Sequence, residues 1–188
     1  DGTNSLDVET FPAQNSNGST YSLWVNFNSL GSSFPAMISS PSNSSIGEFQ
    51  LVVVGNNNNQ YAYFDNGWGS IVYSSTVLIP EIWYHIVATN NNGLVKLYTN
   101  GELTGEGTVN GSFNISDNYG IGHLAPYGDT YVDGSIDAVG IWSRALSSAE
   151  VAELYNSGTG IELDGVAQPT LVKMQAPVKF MGKVKFGV

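Results

Sequence analysis

Between Tyr21 and Trp142 the chain never sustains an apolar run for long. Short stretches of Val, Ile, Leu, Tyr, Phe and Trp are cut every 8–12 residues by Asn, Gly and Ser. That spacing leaves no room for long helices and is the pattern of antiparallel strands joined by tight turns in a sandwich or barrel. Where a run is long enough to read, its period is two. In 21–28, Leu23, Val25 and Phe27 fall on one face and Trp24 and Asn26 on the other. Strands are expected at 5–9, 21–28, 36–39, 48–54, 60–65, 70–73, 83–89, 94–99, 119–122 and 135–142. Asn66-Gly67 and Asn100-Gly101 serve as turns, because Asn and Gly tolerate positive φ. The segment holding Glu102 and Glu106 reads as turn-like. Trp24, Trp83 and Trp142 each have apolar neighbours two residues away and are expected in the core. One helix is expected late in the chain: Ser147 and Glu150 form a capping box, Val151, Leu154 and Tyr155 give an apolar stripe, and Gly158 stops it.

The 188 residues suit one generous domain, and the absence of cysteine excludes disulfides, thiolate zinc sites and a cysteine nucleophile. Net charge is −10, so the basic, phosphate-tracking surface of a nucleic-acid binder is missing. No stretch approaches the roughly 20 apolar residues of a membrane-spanning helix, and no membrane insertion is expected. Charge also divides the chain. Residues 1–165 carry −14, whereas 166–188 hold four lysines and no acid, hence +4. The expected organisation is a sandwich domain over 1–160 and a basic, apolar arm over 161–188. Pro169 and Pro177 keep the arm extended, and Phe180, Met181 and Phe186 are too apolar for a solvated linker. The arm is expected to dock, either on its own body or by adding to a neighbouring subunit's sheet. The neighbour is favoured, because the body already closes near Gly158–Gly160.

Three segments carry a family resemblance. The opening Asp1-Gly2-Thr3-Asn4-Ser5-Leu6-Asp7-Val8 resembles the first strand of the laminin-G-like, concanavalin A-like lectin/glucanase jelly-roll family. Trp83-Tyr84-His85-Ile86-Val87-Ala88-Thr89, followed by Val95-Lys96-Leu97-Tyr98-Thr99-Asn100-Gly101, is similar to its central hairpin. Gly134-Ser135-Ile136-Asp137-Ala138-Val139-Gly140-Ile141-Trp142-Ser143-Arg144-Ala145-Leu146-Ser147, with Glu150-Val151 and Leu154-Tyr155, is similar to its closing strand and helix. The resemblance implies an all-β, two-sheet antiparallel jelly-roll sandwich with one short C-terminal helix. It also implies a non-catalytic recognition or adhesion module, in some members calcium-bearing. In those members the carboxylate at the position of Asp137 joins oxygens from the N-terminal segment, so Asp1 or Gly2 would complete the site. The alternative for Asp137 is a structural hydrogen bond to loop amides.

Residue chemistry adds the rest. Retaining glycoside hydrolysis needs two carboxylates roughly 5–5.5 Å apart. Asp133 and Asp137 share a strand face but stand ~13 Å apart by strand rise, and serines lack the context of a nucleophile elbow. His85 reads as a structural hydrogen-bonding residue, and no enzyme is expected. Sugar recognition needs flat aromatic faces with amides and carboxylates nearby. Tyr61, Tyr63, Asp65, Asn66 and Trp68 supply one such group, and Tyr127, Asp129 and Tyr131 another. The expected function is glycan recognition at an extracellular, cell or virion surface. The alternative is a structural subunit of a virion, such as a phage head or tail decoration, or of an extracellular filament assembled through the arm.

Overall fold

The computed structural model describes residues 6–8, 18–30, 35–39, 50–56, 59–65, 71–109, 119–123, 131–161 and 184–185. Two six-stranded antiparallel sheets face each other. The first contains β1 (Leu6–Val8), β3 (Ala36–Ser39), β4 (Gln50–Asn56), β5 (Asn59–Asp65), β6 (Ile71–Leu78) and β10 (Tyr119–Ile121), in the order β1-β10-β3-β4-β5-β6. The second contains β2 (Gly18–Phe27), β7 (Trp83–Asn91), β8 (Leu94–Thr99), β9 (Glu102–Thr108), β11 (Gly134–Trp142) and β12 (Val184–Lys185), in the order β12-β11-β2-β7-β8-β9. The period-two reading of β2 places Tyr21, Leu23, Val25 and Phe27 inward, each fully buried. They meet Leu51, Phe64 and Val72 from the first sheet and Ile86, Leu97 and Ile136 from their own.

The 102–108 segment is a strand, not a turn: it pairs with β8 from Leu94↔Thr108 to Thr99↔Glu102. Its two glycines hid it, since Gly lowers strand propensity, and they are there because two backbones meet. A Cβ on Gly105 would overlap the Tyr73 carbonyl oxygen and stand 3.0 Å from the Tyr73 carbonyl carbon. Beside this contact Ser74 Oγ donates to Thr104 Oγ1 (3.0 Å), and both hydroxyls lie within 3.3 Å of Thr99 Oγ1. The edges of the two sheets therefore close on each other along β6 and β9. Gly105→Ala is expected to cost about 1–3 kcal/mol in urea unfolding, as overpacking does. Gly107→Ala meets only the end of the Val72 side chain (2.9 Å) and should cost less.

Helix α1 (Ser148–Tyr155) covers the outside of the second sheet. Its capping box is complete: Glu150 N–H donates to Ser147 Oγ (3.3 Å) and Ser147 N–H to Glu150 Oε2 (2.8 Å). Arg144 forks onto the same carboxylate at 2.6 and 3.0 Å, and this pairing holds the Glu150 carboxyl down to about 2. Val151 and Leu154 pack with Val87, Tyr98, Trp142 and Leu146 in a second apolar cluster. Of the three tryptophans expected in the core, Trp142 is buried in the cluster under the helix, Trp24 is half-buried on the same outer face, and Trp83 is 39% exposed. Apolar neighbours at i±2 did mark one face, but here the helix covers part of the outer face as well, so the pattern could not say which face is the core.

Of the two dockings weighed for the arm, the one on its own body is seen for Val184–Lys185, which pairs with Ile136 and Ser135 of β11. An unpaired strand edge accepts whichever extended segment is most concentrated, and a tethered one has the advantage. Deleting 166–188 is expected to lower thermal stability and leave the oligomeric state unchanged by light scattering. Unchanged stability with loss of assembly would return the arm to a neighbour.

Candidate functional site

Of the segments quoted for the family resemblance, the hairpin and the closing strand and helix bring His85, Asn100, Asp137 and Tyr155 to the outer face of the second sheet, whereas Leu6–Val8 lies in the first sheet. Across that face Asp137 pairs with Trp24 and Trp24 with His85. The His85 N–H donates to Asn100 Oδ1 (2.9 Å), and the Asn100 N–H returns to the His85 carbonyl (2.8 Å). Asn100 (φ 54°) and Gly101 (φ 80°) bring the turn against the Tyr155 ring, which would stand 3.0 Å from a Cβ on Gly101. Tyr155 stacks with Trp24 (5.8 Å, 19°) and with His85 (6.1 Å, 15°). His85 is 1% exposed, and its Nε2 meets Ser22 Oγ at 2.9 Å, the structural role expected of it. Asp137 Oδ1 accepts from the Ala138 N–H (2.8 Å), steadying a residue at φ 47° where the pairing of β11 with β2 slips. Among the described residues no three His, Cys, Asp or Glu side chains gather as a metal would require. Asp137 alone is one of the several oxygens calcium takes; Asp1 and Gly2 lie outside the described residues.

The described aromatic candidates, Tyr61, Tyr63 and Tyr131, gather on the outside of the first sheet. Phe64 and Val72 point inward from β5 and β6, so Tyr63 and Tyr73, opposite each other in the register, point outward. Their rings are 5.7 Å apart and tilted by 36°, with Tyr63 buried and Tyr73 53% exposed. Tyr61 lies opposite Val77. Two residues of β5 face four of β6 here, and Ser74 Oγ closes the excess by accepting the Thr76 N–H (3.1 Å). The alternation Ile71, Tyr73, Ser75, Val77 put Tyr73 on this face, a signal in the sequence that the loop-centred reading passed over. Asp65 ends β5 in the row Ser39, Gln50, Asp65, Ile71.

Tyr131 reaches the same face from its other side. Gly122 (φ 77°) turns the chain back over β10, and His123 then packs against Gly120, with its carbonyl accepting from Ser39 Oγ at 3.0 Å. Tyr131 bridges to His123 and stacks on it at 6.1 Å and 19°. Ser39 on β3 stands two strands from Asp65 on β5, ~10 Å by strand spacing. Aromatic pairs thus stand on both sides of β4, offering flat apolar rings beside carboxylate, amide and hydroxyl positions. Asn66, Trp68, Tyr127 and Asp129 lie outside the described residues.

Glu106 is an ion-pair partner of Lys96 (3.1 Å). Asp133 accepts from Ser29 Oγ (2.6 Å) and Asn28 Nδ2 (2.9 Å), which hold its carboxyl below the usual range. The carboxylates Asp133, Asp137 and Glu106 are therefore each engaged in a structural contact.

Comparison with known proteins places this architecture. A laminin G family model, described as the concanavalin A-like lectin/glucanases superfamily, matches residues 1–152. A search of curated proteins found no match. Among solved structures, domain 4 of an extracellular arabinanase from Geobacillus stearothermophilus, in complex with arabinotriose, superposes with a TM-score of 0.59 at 21% identity. That match covers 74% of this chain and 66% of that one. A heptameric SAP-like pentraxin from Limulus polyphemus gives 0.59 at 15% identity, covering 98% and 95%. Domains LG4-5 of the mouse laminin alpha1 chain give 0.59 at 14% identity, covering 77% and 40%. This chain therefore spans about two thirds of the arabinanase domain and less than half of the laminin pair.

Proposed function

The chain belongs to the concanavalin A-like lectin/glucanase superfamily, and from that premise we propose that it is a non-catalytic carbohydrate-binding module working outside the cell or at its surface. The observation that carries the reading is the Tyr63–Tyr73 ring pair on the outside of the first sheet, facing the His123–Tyr131 stack across β4. Flat rings on a rigid sheet take the apolar faces of sugar rings at little entropic cost, and neighbouring polar groups fix the hydroxyls. Asp65 closes β5 beside these rings, and Asn66, Trp68, Tyr127 and Asp129 are kept as candidates on their residue chemistry alone. The arabinanase domain solved with arabinotriose supports a sugar ligand for this fold, and a cell exterior is where that arabinanase works. None of the structures named above is a virion protein, and nothing favours the virion or filament alternative. Among the described residues no helix is long and apolar enough to cross a membrane. A glycan array probed with the whole chain tests the proposal: selective binding that is weakened by Trp68→Ala supports it, and no binding to any glycan at high protein concentration overturns it.

Calcium on Asp137, completed by Asp1 and Gly2, is a separate proposal. An ion that binds only the native state stabilises it by about 2.7 kcal/mol at ~100 times its dissociation constant. A chelator should then lower the melting temperature of the wild type and spare Asp137→Asn. Identical melting curves with and without chelator would remove the ion.

A further inference from the structure

The opposite side of the sandwich carries a second surface of suitable chemistry, one that the aromatic loops do not account for. On β7, Tyr84 and Ile86 point into the core, so Trp83 points outward, and it is 39% exposed. Its register partner is Asn26 on β2, whose own partner on β11 is Ser135. Val25, Phe27 and Ile136 face the core, which puts Asn26 and Ser135 on the outer face beside the indole. The row Trp83, Asn26, Ser135 crosses three adjacent strands, ~10 Å by strand spacing, a width that suits one sugar ring with its hydroxyls.

Three features make this row an opening. Behind it the next row, His85, Trp24 and Asp137, is covered by Tyr155 and by Gly160, where a Cβ would stand 3.1 Å from Trp24 Nε1. Asn26 and Ser135 are half-buried, and neither side chain makes a hydrogen bond among the described residues, so their donors and acceptors are unspent. In front, the Asp133 carboxylate is held in place by Ser29 and Asn28, and the Glu81 N–H fixes the adjoining turn to the Phe27 carbonyl at 2.7 Å.

We infer that this surface is a second sugar-binding site, in which one pyranose or furanose ring of a glycan stacks on Trp83 and bonds Asn26 and Ser135. A protein-docking patch would be expected to be broadly apolar. Here the exposed indole, preceded in the chain by exposed Ile82, is followed along the row by an amide and a hydroxyl, the mixture a polyol requires. Two sites on opposite faces make the module bivalent, able to hold two glycan chains at once. The inference stands apart from the Tyr63–Tyr73 face, and the experiment separates the two.

The test follows the indole Nε1–H signal of Trp83 by NMR, identified by its loss in Trp83→Phe. The intact chain is titrated with arabinotriose, xylotriose, cellotriose and maltotriose at millimolar concentration. The expected result is a saturable shift with at least one of these sugars, persisting in Tyr73→Ala and weakened at least about tenfold in Asn26→Ala, a loss of one unaided hydrogen-bonding partner and its geometry. Absence of any shift overturns the site. Loss of the shift in Tyr73→Ala does so as well, because it would mean a single site. A shift that follows protein concentration without sugar would make the surface a contact between copies and equally refute the inference.

Discussion

Acidification from pH 6.5 to pH 4 is expected to remove about 3 kcal/mol of folding free energy through one residue, His85. Burial between Trp24 and Tyr155 lowers its folded-state value to about 4, against 6.5 for a free imidazole. The neutral ring is the one the fold accepts, and its Nδ1 is buried without a hydrogen-bond partner. Above pH 6.5 both the folded and unfolded chains hold it neutral, and its contribution is complete. As pH falls the unfolded chain takes up a proton that the folded chain refuses, so stability declines until the folded ring also titrates near 4. For a domain worth 5–15 kcal/mol that is a large fraction. Glu150 adds a separate loss only below its ordinary range, since Arg144 holds it ionised to about 2. Urea midpoints measured from pH 7 to pH 4.5 isolate the histidine. His85→Gln, which keeps a partner for Ser22 without a titratable ring, should flatten the slope in that window. A wild-type midpoint independent of pH there would show that the imidazole is hydrated in solution.

Truncation of Tyr73 carries the largest expected functional effect. The ring is half exposed, braced at 5.7 Å by buried Tyr63, and seated on the strand that closes the two sheets at Gly105. A rigid aromatic anchor of this kind behaves as a hot spot, worth ~2 kcal/mol or more on truncation to alanine, or about thirtyfold in affinity. Calorimetric titration of Tyr73→Ala with the best array ligand should show that loss while the melting temperature changes little, because the side chain packs on the outside of the sheet. Tyr73→Phe should recover most of the affinity if stacking is what matters.

How far this could be read from the sequence depended on which residues report locally. The period of two in β2 and the Asn100-Gly101 turn announced strands, and the capping box announced α1, because each is settled within a few residues. What lies on the outside of a sheet is settled by what later packs there. Trp24 and Trp142 read as core residues because helix α1, more than a hundred residues after Trp24, covers them. Trp83 looked the same in the sequence and is left uncovered. The 102–108 strand was obscured by glycines whose purpose, contact with the Tyr73 backbone, is a tertiary one. On the first sheet Tyr61 and Tyr63 were legible as a pair by spacing and the outward side of Tyr73 by the alternation of β6, while the meeting of Tyr73 with Tyr63 and the stacking of Tyr131 on His123 depended on a register and a turn at Gly122 that no local pattern encodes.

The central claim, that the outside of the first sheet binds carbohydrate, is tested most directly by mapping a bound sugar onto the tyrosine rings. With the strongest array ligand, NMR of ring-labelled tyrosine should show saturable shifts at Tyr61, Tyr63, Tyr73 and Tyr131, with buried Tyr21 and Tyr84 unmoved. Saturable binding that leaves all four outer tyrosines unshifted would contradict the account.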